Sequence, residues 1–106
     1  MTEAELQESV RRMCADLRLY HYHPHDSRRS QAGWPDSVII GPRGIAFREL
    51  KTQAGQLSSE QRHVGYLLCG LGLSWEVWRP NDLYDGTIGT QLAVLAGHRV
   101  RIEAAG

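Results

Sequence analysis

The chain has 106 residues, with 12 Lys+Arg balanced against 12 Asp+Glu and a hydrophobic fraction of 42%. That is one small domain of ordinary globular composition. No stretch approaches the roughly 20 apolar residues that span a bilayer, and the acidic, polar start is unlike a signal peptide, so a cytoplasmic protein without membrane segments is expected.

Thr2 to Arg18 reads as a helix, opened by a Thr2/Glu5 capping box and carrying an apolar stripe of Leu6, Val10, Met13, Cys14 and Leu17. Leu19 to His23 alternates weakly and predicts a strand ended by Pro24. Residues 24–35 form a polar loop rich in His, Ser, Arg and Gly. Asp36 to Ile40 is a predicted strand, Gly41-Pro42-Arg43-Gly44 a turn, and Ile45 to Lys51 the returning strand. After a loop over Thr52 to Leu57, Ser58 and Gln61 make a second capping box. Val64, Leu67, Leu68 and Leu71 give the next helical stripe, stopped by Gly70 and Gly72. Trp75 to Arg79 is a strand closed by Pro80, and a last helix is expected over about Thr87 to Ala96. The core thus covers about residues 2–96 of a single domain 1–106, with a short tail at 97–106. Helix, two or three strands, helix, strand, helix predicts an α/β sandwich around a mixed sheet. Cys14 and Cys69 both fall on apolar helix faces and read as small core residues in a reducing compartment.

The chemistry is concentrated around the only lysine, Lys51. A strand places residues i and i+2 on one face, so Glu49 and Lys51 point the same way. If Gly41 faces Gly44, then Ile40 faces Ile45, Val38 faces Phe47 and Asp36 faces Glu49. Directly opposed like charges are destabilising. Two such carboxylates share a proton or find a cation, and a divalent ion with oxygen ligands resolves the conflict best. On the first helix, Glu3 projects with Leu6 and Val10 while Glu5 and Glu8 point away. Glu3 is therefore a candidate third carboxylate, unless it serves only the helix dipole. An ammonium beside carboxylates is a poor general base, which assigns Lys51 to orienting the attacking water and neutralising charge at a phosphate. The bland alternative for Glu49 and Lys51 is a surface ion pair.

Gly33-Trp34-Pro35-Asp36, Glu49-Leu50-Lys51-Thr52 and Leu57-Ser58-Ser59-Glu60-Gln61, in this order and spacing, resemble the VRR-NUC branch of the PD-(D/E)XK nuclease superfamily. Ser27-Arg28-Arg29-Ser30 is similar to the corresponding stretch of its small stand-alone members, which are frequent in phage genomes. The resemblance covers about residues 2–95. It implies a restriction-endonuclease-like core (order α-β-β-β-α-β-α) and metal-dependent DNA cleavage. Asp36 and Glu49 would bind Mg²⁺ or Mn²⁺ with help from the backbone carbonyl of Leu50, Lys51 would be the catalytic lysine, and Gln61 would orient the lysine or a water. Glu3-Ala4-Glu5-Leu6 resembles the helix-one acid setting of archaeal Holliday-junction resolvases, and so adds Glu3 as a metal ligand. The resemblance also implies a homodimer acting on branched or duplex DNA. The aromatic residue often found three positions after the glutamine is Val64 here.

Distribution of charge matters more than the zero total. Ser27, Arg28, Arg29 and Ser30 are the candidate grip on backbone phosphates, with Arg43 and Arg48 as further basic residues. Trp34 is a candidate for stacking on a base or for packing on the sheet edge. Three other readings stay open: a transition-metal site made of His21, His23, His25 and Asp26, a DNA-binding module without chemistry, and an RNA hydrolase on the same core.

Overall fold

The computed structural model describes residues 1–24 and 31–98. Helix α1 (Glu3–Asp16) starts where the sequence places it: the Glu5 amide donates to Thr2 Oγ1 at 3.1 Å and the Thr2 amide to Glu5 Oε1 at 3.0 Å. Its buried side is Leu6, Val10 and Cys14. Strands β1 (Tyr20–Tyr22), β2 (Ser37–Gly41), β3 (Gly44–Leu50) and β4 (Ser74–Trp78) form one mixed sheet in the order β1-β2-β3-β4. β1, β2 and β3 are antiparallel neighbours, whereas β3 and β4 run parallel through the crossover helix α2 (Ser59–Gly70). Helices α3 (Pro80–Tyr84) and α4 (Thr87–Leu95) follow. The architecture is α/β, a four-stranded mixed sheet flanked by helices.

Strand alternation divides the sheet into two faces. One carries Ile39, Ala46, Leu50 and Trp78 and packs with α1 and α4 through Leu6, Val10, Cys14, Ile88 and Leu92, forming the main core. The other carries Val38, Phe47, Glu49 and Trp75. There α2 lies against β4, close enough that a Cβ on Gly65 would sit 2.6 Å from the Trp75 ring.

Several expectations change. α3 is an element the sequence pattern does not predict, since Pro80 reads there only as the close of a strand: Pro80 occupies its first turn, where a missing amide costs nothing, and the Arg79 amide donates to Asp82 Oδ2 at 2.8 Å. Cys69 is exposed, as are Leu67 and Leu71, because α2 meets the sheet through Gly65, leaving the other side of its C-terminal half uncovered. Both cysteines are free, and burial pushes the Cys14 thiol up to about 11. Arg48 is not a surface cation. It points to the face opposite Glu49, buried, with Nη1 donating to the Phe47 and Ser74 carbonyls at 2.9 Å each and Nη2 to Ser74 Oγ and Gln91 Oε1. Its guanidinium pairs with Glu76 at 3.1 Å and lies 5.0 Å from the Trp78 ring centre. Arg48 thus clamps β3, β4 and α4 together and is withdrawn from any ligand on the outer surface.

Candidate active site

The β2–β3 register is Ile40↔Ile45, Val38↔Phe47 and Ser37↔Arg48, and it brings Asp36 beside Glu49. Asp36 Oδ2 accepts from the Leu50 amide at 2.9 Å, which locks the first carboxylate across the strand carrying the second. Glu49 is fully buried. Its Oε1 accepts from Gln61 Nε2 at 3.0 Å, while Oε2 is buried without any donor. Burial first, then the hydrogen-bonding reach and charge of Asp36, push the Glu49 carboxyl up to about 9; Lys51 pulls the other way and Glu3 adds a smaller push. The pair therefore holds a proton between two carboxyls at neutral pH, one of the outcomes expected for opposed acids with no bound cation.

Gln61 has two functions at once. Its Oε1 accepts from the Ser58 amide at 2.9 Å, closing the capping box of α2, and its Nε2 reaches Glu49. The start of α2 is thereby fixed to the acid pair. Gly33 fixes the third segment. It adopts φ +87°, and a Cβ there would lie 2.5 Å from the Glu60 carbonyl oxygen, so the Gly33–Asp36 stretch rests directly on the first turn of α2. Val64 also lies against this glycine.

Lys51 is half-buried just past the end of β3, with its amide donating to the Trp78 carbonyl at 3.1 Å. Among the described residues it forms no contact ion pair, and its partner Glu49 is buried, so the surface ion-pair reading does not hold. The loop after it is pinned by Arg79, whose Nη1 donates to the Thr52 and Gly55 carbonyls at 2.7 Å each. Sequence reasoning did not single out Arg79; only the fold shows that it sits 27 residues from the loop it holds.

Glu3 is exposed in the first turn of α1, so it lies outside the buried stripe. It lines a cleft of about 330 Å³ together with Gln7, His23 and Asp36. Glu5, the other acid of that turn, is taken by the capping box. Among the described residues no group of three His, Cys, Asp or Glu side chains gathers tightly enough to hold an ion, so Glu3 stands off from the Asp36–Glu49 pair. The position of the Leu50 backbone is tied to the pair through its amide.

His23 is the unforeseen neighbour. Its Nδ1 is 2.7 Å from the Asp36 carbonyl oxygen. A carbonyl only accepts, so Nδ1 is the donor. The ring faces the cleft with Glu3 and a smaller recess of about 140 Å³ shared by Trp34, Asp36 and Gln61. His21 instead meets Ser37 Oγ through Nε2 at 3.0 Å, and burial lowers its pKa. The transition-metal reading needs His25 and Asp26, which, like the phosphate-gripping Ser27, Arg28, Arg29 and Ser30, lie outside the described residues. Trp34 packs edge-on against Phe47 at 5.9 Å between ring centres yet remains part-exposed.

Comparison with known proteins returned no matching family model, no similar curated protein and no similar solved structure.

Proposed function

We propose that this chain is a metal-dependent DNA endonuclease, a small VRR-NUC-type member of the PD-(D/E)XK superfamily with a restriction-endonuclease-like core. In this reading it hydrolyses phosphodiester bonds in branched or duplex DNA, as a homodimer selective for structure over sequence. The observation that carries the reading is the Asp36–Glu49 contact beside Lys51, in which no protein donor reaches the buried Glu49 Oε2 and the two carboxyls share a proton instead. Two carboxyls this close can both ionise only when a cation meets them; otherwise they keep a proton between them.

An oxygen-only donor set of this kind fits a hard divalent cation. Asp36 and Glu49 would hold Mg²⁺ or Mn²⁺, with the Leu50 carbonyl assisting and Glu3 at the cleft wall, acting through water. When bound, such an ion polarises the phosphoryl group and lowers the pKa of water. The chain's own residues do the rest. Gln61 holds Glu49 by Oε1, which leaves Oε2 without a protein donor on the side of Asp36, the member of the pair that lines the cleft. Lys51 places fixed positive charge where the phosphate gains negative charge in the transition state. The Leu50 amide holds Asp36 in register.

The test is cleavage of a labelled panel (four-way junction, flap, single strand, linear duplex and an RNA strand) with Mg²⁺ or Mn²⁺, beside Lys51→Ala. Metal-dependent cutting of DNA that disappears in the variant is the expected result. Binding without cutting would favour a DNA-binding module, and cutting of RNA alone an RNA hydrolase; either result overturns the reading.

A further inference from the structure

On the α2 side of the sheet, the helix covers only β4 and the neighbouring part of β3. Over the other half, made by β1 and β2, Val38 is buried but the side chains around it are exposed. Tyr20 is 65% exposed, Tyr22 49%, Ile40 43% and Trp34 41%. The register explains why they share this face. Tyr20 pairs with Ile40 and Tyr22 with Val38, while His21 turns to the α1 side. Trp34 joins them through its edge contact with Phe47. β1 is an edge strand, so among the described residues no strand borders the tyrosines on their outer side.

This open face leads to the acid pair. Alternation along β2 and the residue before it puts Asp36, Val38 and Ile40 on one side, so a ligand lying across Tyr20 and Tyr22 reaches Asp36 at its end. We propose that the exposed β1–β2 face is a stacking platform for unpaired bases, delivering single-stranded nucleic acid to the Asp36–Glu49 site. The inference rests on the phosphodiesterase reading above and narrows its substrate to strands with at least a short unpaired stretch. Alternate strand residues stand about 6.6 Å apart, which gives each ring its own base. Every base has a π-face, so aromatic platforms of this kind hold single strands with little regard to sequence. Tyrosine suits the task because the ring stacks while the hydroxyl stays wet.

A second copy of the chain is the competing occupant, and the area argues against it. A fully buried aromatic side chain covers about 150–250 Å². At about half exposure the four residues offer on the order of 400 Å², against the roughly 800 Å² per partner of a standard interface.

The test reads binding of labelled oligothymidylate and oligouridylate by fluorescence anisotropy in EDTA, where metal-dependent cleavage is off. The intact chain is compared with the double variants Tyr20→Ala/Tyr22→Ala and Tyr20→Phe/Tyr22→Phe. Stacking predicts that the alanine pair weakens binding about tenfold or more while the phenylalanine pair stays near wild type. Preference for one oligonucleotide names DNA or RNA as the source. Unchanged affinity in the alanine pair, or no binding by the intact chain, overturns the proposal. So does a dimer in sedimentation equilibrium that the alanine pair dissociates, since the face would then belong to a second copy. The two readings fail separately. Tyrosine-dependent binding with an uncut panel sinks only the nuclease, and a cut panel with tyrosine-independent binding sinks only the platform.

Discussion

Replacing Glu49 with glutamine removes the proton-sharing acid while keeping its shape. The amide oxygen can still accept from Gln61 Nε2, and the new N–H₂ can donate to Asp36. The sign of the effect follows from linkage. The Glu49 carboxyl is raised from 4.5 to about 9, so between these values the folded chain holds a proton that the unfolded chain has released. Stability is therefore fully present at low pH and falls as pH rises through this window. One proton of difference corresponds to about 1.4 kcal/mol per pH unit. Below about pH 6.5 the lowered pKa of His21 contributes the opposite slope, because the unfolded chain then takes up the extra proton. The clean window is thus about pH 7 to 8.5, where the metal-free chain should lose about 2 kcal/mol. For a chain of this size that lowers Tm by roughly 8–16 °C. Urea unfolding in EDTA at a series of pH values measures it. Glu49→Gln should flatten the slope and be the more stable protein at about pH 8.5, and Mg²⁺ or Mn²⁺ should stabilise the wild type there but not the variant. A wild-type stability that is level or rising across the window, or a glutamine variant less stable than wild type at its upper end, would refute the account of a proton held between buried acids.

Three further perturbations read the supports of the site. Gln61→Ala removes the side-chain half of the α2 capping box, leaving the Ser58 cap on the backbone amide, and also removes the donor to Glu49; a loss of about 1–3 kcal/mol in urea unfolding is expected, together with weaker Mn²⁺ binding by calorimetry, and a variant with wild-type stability would disconnect the capping box from the site. Gly33→Ala drives a methyl onto the Glu60 carbonyl oxygen at a φ of +87°, so it should cost about 2 kcal/mol or more and reduce cleavage with it. Normal stability there would mean that the loop does not rest on α2 as described. Arg48→Ala empties the clamp between β3, β4 and α4 and should destabilise by about 3–5 kcal/mol, while oligonucleotide affinity measured on the fraction that remains folded stays unchanged because Arg48 is buried on the opposite face.

The acid pair was legible because it needs only counting. Once Gly41 faces Gly44, a period of two fixes every partner back to Asp36 and Glu49. Both capping boxes were legible for the same reason, since Thr2 with Glu5 and Ser58 with Gln61 are local. What the spacing could not say is that Gln61 uses its second amide atom on a strand 12 residues away. Arg48 reads in the sequence as a further basic residue for a ligand, although alternation denies it the face of Glu49. Its burial depends on Ser74, Glu76, Trp78 and Gln91, which converge only in the fold. α3 was hidden because Pro80 both ends a strand and starts a helix, and the deciding bond from the Arg79 amide to Asp82 is a matter of backbone direction. His23 stands out in the sequence only as a candidate transition-metal ligand; its place beside Asp36 is not legible there, because its partner is the backbone oxygen of that residue.

The physical case for a ligand at this site rests on what the chain tolerates there. Elsewhere most local choices agree with the fold: α1 and α2 open on capping boxes, the strand face toward α1 and α4 is mostly apolar, and the buried guanidinium of Arg48 is held by four acceptors and a counterion, although its Nε and Trp75 Nε1 are also buried without a partner. At Asp36 and Glu49 the agreement breaks down. Two carboxyls meet, one is fully buried, and one of its oxygens is reached by no protein donor and only by the shared proton, although Gln61 shows that an amide donor can be brought to the same group. An apolar residue at position 49 opposite Asp36 would fold more easily. Three segments are nonetheless fixed to one another around the misfit, residues 33–36 on the first turn of α2, Gln61 on Glu49, and Leu50 on Asp36. Rigid support around a pair of acids that share a proton is what preorganisation requires, and a cation that displaces that proton lets both carboxyls ionise in place, so its binding adds to the stability of the folded chain.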